Sequence, residues 1–140
     1  MDMLRDMFVR QMKFANRLNR FTGIPVENCD EYSELLNYHQ KTDEAIKTVQ
    51  ENAQAIIMEG AELLDWTPWK HWSQKSGNKM INPDEMMSGS HIEEMRIELA
   101  DITCFLINAC MALGMDADTL NDYHRKKMEI NHGRQDTGTY

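Results

Sequence analysis

A chain of 140 residues is long enough to bury one core and too short for two independent ones, so a single domain spanning 1–140 is expected. Its net charge of −8 and pI near 5.0 argue against a nucleic-acid or anionic-membrane binder, because both need a clustered positive surface to displace counterions. The three cysteines, Cys29, Cys104 and Cys110, offer neither an even disulfide set nor a C-x-x-C metal spacing, and are expected as reduced thiols.

Three prolines and seven glycines punctuate the sequence, and no segment sustains period-two alternation of β-branched residues. That pattern predicts an all-α fold, a bundle of four to five helices. The first helix is expected over 2–20, with Met3, Met7, Phe8, Met12 (or Gln11) and Ala15 at helical spacing, ending before the turn-prone TGIP at 22–25. Its opening, MDMLRDMFVRQMKF, mixes Asp and Arg into the apolar residues and contains no signal-type apolar run. A second helix is expected over 31–64, with a break near 40–43. The tryptophan-rich DWTPWKHW follows at 65–72, and SQKSGNKMINPDEMMSGS at 73–90 reads as a long loop. Ser90 and Glu93 form an S-x-x-E capping box that is expected to open a central helix running to about Leu113, with Gly114 as its C-cap. The most apolar run, Ile102 to Met115, is interrupted by Thr103, Asn108 and Gly114 and falls short of the ~20 residues a bilayer requires, so no membrane span is expected. Asp116 should cap a last helix that ends near Gly133, leaving 135–140 as a tail.

The central helix carries Glu98 and Asp101 at its entrance. Residues three apart share a helix face, and Phe105 and Asn108 continue the same stripe. MEGAELL puts Glu59 and Glu62 at the same spacing on the preceding helix, with Ile56, Ile57 and Leu63 as apolar neighbours. Such pairs also occur on solvated helix faces. Four carboxylates drawn together, however, resist burial unless neutralised, and hard divalent cations are their natural partner. Mg²⁺ fits best, since it takes a few carboxylates and completes its octahedron with waters and substrate phosphates; Mn²⁺ can replace it. A di-iron bundle would need Glu-x-x-His pairs from two helices, and the only such spacing, Glu129 with His132, lies in a basic helix. The apolar residues around Leu99, Ile102, Leu106 and Ala109 are expected to hold the acids in place.

The last helix places Lys127, Asn131 and Arg134 on one face. Basic residues near a helix C-terminus complement its dipole, and the same face would serve as a phosphate clamp in which Arg134 forks onto two oxygens and Lys127 acts as a point charge. Trp66, Trp69 and Trp72 are the only tryptophans; filling a core or interface is the default, and one is available to stack on a base. Gln11, among Phe8, Met12 and Phe14, sits either at an exposed helix edge or buried where it would read a base edge.

In this order, the motifs resemble those of the dimeric all-α dUTPases and of the related dCTPase/dUTPases of T-even-type phages, within the MazG-like all-α nucleoside triphosphate pyrophosphatase superfamily. IELADITCFLINACMALGMDADTL followed by KMEINHGRQDTG is similar to the family's acid-x-x-Asp helix, its LG turn and its closing K-x-x-x-N-x-x-R-Q segment; MEGAELLDWTPWKHW looks like its first acid pair with the following P-W-K-x-W. The resemblance implies that Glu59, Glu62, Glu98 and Asp101 hold Mg²⁺, with Glu62 orienting or deprotonating the attacking water. It implies a base pocket that includes Gln11 and Trp72, Phe105 and Asn108 against the base or deoxyribose, and Lys70, Lys127, Asn131 and Arg134 on the phosphates. Met128, Cys104 and the split Gly138, Thr139, Tyr140 depart from the family pattern and bear on base selection. The implied activity is dUTP diphosphatase, yielding dUMP and pyrophosphate, with dCTP as a co-substrate; the rivals are a dCTP-preferring or house-cleaning pyrophosphatase and a helical protein-interaction module. The implied partner is a deoxynucleoside triphosphate, with no nucleic acid or membrane, in a homodimer or higher homo-oligomer. The implied setting is the cytoplasm, that of the host for a phage-encoded chain.

Overall fold

In the computed structural model the described residues are 2–17, 42–67, 69, 84 and 87–139. They form four helices: α1 (Met3–Arg17), α2 (Thr42–Asp65), α3 (Gly89–Ala112) and α4 (Ala117–Thr137). Among the described residues there is no strand, and the fold is all-α, as expected. No single helix among them is long and apolar enough to cross a membrane. The expected break at 40–43 lies partly, and the segment 31–41 wholly, outside the described residues, as do Cys29 and most of 73–86.

The chain divides into two compact units, one of Met1–Ile46 with Cys110–Tyr140, the other of Lys47–Ala109. In the first, α1 packs against α4. Phe8, Met12 and Ala15, at i, i+4 and i+7, are the buried face of α1, and Cys110 and Ala117 are buried in the same unit. Met3 does not join them. It is 83% exposed, in the helix's first turn, so the apolar face begins a turn later than its spacing suggested. Arg5 on α1 pairs with Asp118 on α4 at 2.7 Å, an exposed bridge of small energetic weight.

α4 begins as the sequence predicts. Asp116 is its N-cap, the carboxylate accepting the Thr119 N–H at 2.7 Å. Its end differs. Gly133 stays inside the helix, which continues to Thr137 and makes residues 135–137 helical rather than tail. The stop comes at Gly138 (φ 65°), where Gly138 N–H donates to the Gln135 carbonyl and Thr139 N–H to that of Arg134, the paired bonds of a Schellman ending. A glycine inside a helix costs about 1 kcal/mol against alanine, too little to end it without such bonds.

The second unit is an α2/α3 pair. Asn52 meets Asn108, Glu59 meets Glu98, and Trp66 meets His91. Advancing along α2 therefore means retreating along α3, so the two helices are antiparallel. α3 ends as expected, with Gly114 N–H donating to Met111 and Met115 N–H to Cys110. Its start is two residues earlier than the capping box implied. Ser90 already lies within the helix, and the Glu93 carboxylate is taken by Arg96 on the next turn. Leu99 and Leu106 are also not core: they are 52% and 43% exposed, whereas Ile107 and Asn108 are buried. The inward face of α3 is thus rotated from the expected one.

Candidate active site

Glu59, Glu62 and Glu98 converge. Each offers a carboxylate oxygen, and the three lie within 4.8 Å of one another. The helix period explains this: Glu59 and Glu62 are neighbours on one face of α2, and the antiparallel register brings Glu98 of α3 opposite them. Glu59 and Glu98 are half-buried, Glu62 exposed. Asp101 is exposed and stands outside the 4.8 Å set, but its charge is felt at Glu59 and at Cys104, one turn further along α3.

The electrostatics are those of crowded acids. Partial desolvation, a hydrogen bond with the Glu98 carboxyl and the charges of Glu62, Asp101 and Glu98 all raise the Glu59 pKa above its ordinary 4.5. Uptake of a proton by Glu59 is the simplest way for the cluster to shed charge. A divalent cation would serve the same purpose better, and an all-oxygen donor set suits Mg²⁺ or Mn²⁺ rather than a soft metal. The residues present therefore fit the group that the sequence implied. Burial, and then the Asp101 charge, push the Cys104 thiol up, and burial alone does so for Cys110, so both are kept as thiols. Neither is in a disulfide.

Two contacts bracket the acids along the α2/α3 seam. Beyond Glu62, Trp66 and His91 meet edge to face, ring centroids 5.5 Å apart at 86°. On the other side, Asn108 Nδ2 donates to Asn52 Oδ1 at 3.2 Å, and Asn52 Nδ2 donates to the Thr48 carbonyl at 2.7 Å. Along the predicted stripe on α3, exposure falls irregularly: Asp101 is open, Phe105 half-buried and Asn108 6% exposed. Asn52 had not been singled out in the sequence. The signal was available, since an asparagine seven residues before Glu59 shares its face and interrupts an apolar neighbourhood of Val49 and Ile56.

Apart from Trp69, which is in the same unit, the remaining predicted residues belong to the other unit or lie outside the described residues. Gln11 on α1 is half-buried; on α4, Lys127 and Arg134 are exposed and Asn131 half-buried. Trp69 is exposed, while Lys70 and Trp72 are outside the described residues.

Comparison with known proteins then decides the family. The family model described as dUTPase matches residues 26–108, more than half of the chain and a span that holds both acid pairs. The chain belongs to the dUTPase family. It is also 27% identical to the dCTP pyrophosphatase of Enterobacteria phage T4, over 86% of this chain and 78% of that protein. No solved structure matches significantly. Membership makes this all-α dUTPase-family protein a hydrolase of phosphoric anhydrides, a nucleoside triphosphate pyrophosphohydrolase of the dUTPase/dCTPase kind.

Proposed function

We propose that this chain is a Mg²⁺-dependent dUTP diphosphatase that releases dUMP and pyrophosphate and also accepts dCTP, with Mn²⁺ able to replace Mg²⁺. The observation that carries the reading is the convergence of Glu59, Glu62 and Glu98 within 4.8 Å, in a cluster that binds a proton more tightly than an isolated glutamate. A bound divalent cation supplies Lewis-acid polarisation of the phosphate oxygens. Glu59, Glu62, Glu98 and Asp101 would hold it. Glu62, the exposed member of the cluster, orients the attacking water and takes its proton.

The other roles rest on the family resemblance. Lys127 and Arg134 offset charge on the phosphates, Arg134 as a fork and Lys127 as a point charge, and phosphate contact is the role assigned to Asn131 and Lys70 as well. Phe105 lies against the nucleoside, and Asn108, buried on Asn52, is the floor behind it. Base recognition is the role the resemblance assigns to Gln11 and Trp72. Self-association into a homodimer is supported by the apolar residues that one chain leaves open on α2 and α3: Ile57, Met58, Ile97 and Leu99 are each more than half exposed.

A dCTP-preferring pyrophosphatase is the second reading, favoured by the activity named for the phage T4 relative. The purified protein should be incubated with each deoxynucleoside triphosphate and Mg²⁺, following monophosphate and pyrophosphate. Faster cleavage of dUTP supports the first reading and faster cleavage of dCTP the second. Cleavage of neither refutes both.

A further inference from the structure

Crowded acids repel one another, and a single hydrogen bond between Glu59 and Glu98 offsets this only in part, so the convergence of Glu59, Glu62 and Glu98 calls for further contacts along the α2/α3 seam. The residues that can impose it are those whose pairing fails if the helices slide. An apolar seam tolerates slippage, because one methyl group replaces another at little cost. A buried pair of amides does not: a slide of one residue moves a side chain about 1.5 Å along the axis and rotates it by about 100°. Either shift would leave a buried amide without its partner.

Asn52 and Asn108 form such a pair. They are 5% and 6% exposed, the only buried polar side chains among the described residues. Asn52 is oriented before it meets α3, because its Nδ2 donates to the Thr48 carbonyl within α2 and its Oδ1 is thereby turned to accept from Asn108. Seven residues separate Asn52 from Glu59, two helical turns on the same face, or about 10 Å of rise. A register fixed at the amides is therefore transmitted to the acids along the same antiparallel pair of helices.

We propose that Asn52 is a positioning residue: its amide pair with Asn108 sets the register of α2 against α3 and so builds the metal-binding convergence of Glu59, Glu62 and Glu98. The inference rests on the metal-dependent reading above. In other helix pairs a single buried polar contact plays this role of fixing register at some cost in stability.

The test is Mn²⁺ binding in the absence of nucleotide, read from the loss of the free-ion electron paramagnetic resonance signal, beside thermal melting of the same metal-free samples. Wild type is compared with Asn52→Leu and with the double variant Asn52→Leu/Asn108→Leu. The single variant removes the Asn52 acceptor from the buried Asn108 amide and should melt lower; the double replaces both amides by apolar groups and should regain most of the melting temperature. Register is restored in neither. Both should bind Mn²⁺ at least about tenfold more weakly than wild type, the size of effect seen when a group supporting metal ligands is lost. A purely structural amide pair predicts otherwise: Mn²⁺ affinity would return together with the melting temperature in the double variant, and that result overturns the proposal. Asn52→Ser, a small polar replacement, gives the same reading should the leucine variants not fold. If wild type itself binds no Mn²⁺, the metal-dependent reading fails. If wild type and variants bind alike, that reading survives and only the role of Asn52 falls.

Discussion

Glu62→Gln and Glu59→Gln form the most informative pair of variants, because they remove the same charge from neighbouring positions and differ only in the role assigned to it. Glutamine keeps the shape of glutamate, so helix spacing and the convergence with Glu98 are preserved. Each variant deletes one negative charge and weakens one of three oxygen donors that lie within 4.8 Å, so cation affinity falls in both. Only at position 62 is the group expected to accept the proton of water also lost. Raising Mg²⁺ until each enzyme is saturated removes the shared effect and leaves the difference. Under that condition Glu59→Gln should return to within about tenfold of wild type, whereas Glu62→Gln should stay roughly 100- to 10,000-fold down in kcat, the usual worth of a positioned general base. The assay is steady-state pyrophosphate release from dUTP and from dCTP across a Mg²⁺ titration. Recovery of Glu62→Gln at high Mg²⁺ would show that Glu62 only holds the cation, and a lasting loss confined to Glu59→Gln would exchange the two roles.

Two predictions concern stability. The Asp116 carboxylate is held below its ordinary 3.8 by its hydrogen bonds with Thr119 and, less strongly, by the charge of Arg5; Asp116→Ala should cost about 1 kcal/mol, as N-cap losses do. For 140 residues that corresponds to roughly 3–4 °C of melting temperature, while Asp116→Asn keeps the cap and most of the stability. A depressed carboxylate pKa stabilises above its unfolded value, so the gap between Asp116→Ala and wild type should close as pH falls below 3.8 and through the lower folded value. Glu59 behaves in the opposite sense in the metal-free protein. Its folded pKa is raised, so the native state holds more protons than the unfolded one as pH climbs from 4.5, and stability declines over that window. Glu59→Gln should therefore melt higher than metal-free wild type above the window and match it well below 4.5; a pH-independent difference would refute the crowded-acid account.

The acid pairs were legible because an i, i+3 spacing is a property of one helix, and both helices formed where periodicity put them. The turn at Gly114 was legible for the same reason, since its bonds are local. What the sequence did not reveal depended on partners. Leu99 and Leu106 read as core by composition, yet which side of α3 is covered is decided by where Asn52 and Glu59 lie on α2, and those face Asn108 and Glu98 instead. Gly133 read as a helix end by residue type alone; the bonds that end α4 require the backbone at Gly138 and Thr139. Glu93 matched a capping box but found Arg96 nearer.

The placement of polarity along the α2/α3 seam follows from what each part must do. Buried amides demand one partner geometry, and they sit where little solvent reaches them, at Asn52 and Asn108. Carboxylates that must exchange a proton, a cation and a water need access, and Glu62, the member assigned the water, is the one left exposed. Glu59 stands between these regimes: half-buried and crowded by Glu98, Glu62 and Asp101, it takes up a proton more readily than an ordinary glutamate. On the proposed reading a proton and a cation would compete for the same oxygens. A seam that was apolar throughout would be more stable without metal, but it would have neither a fixed register nor a reason to bind one.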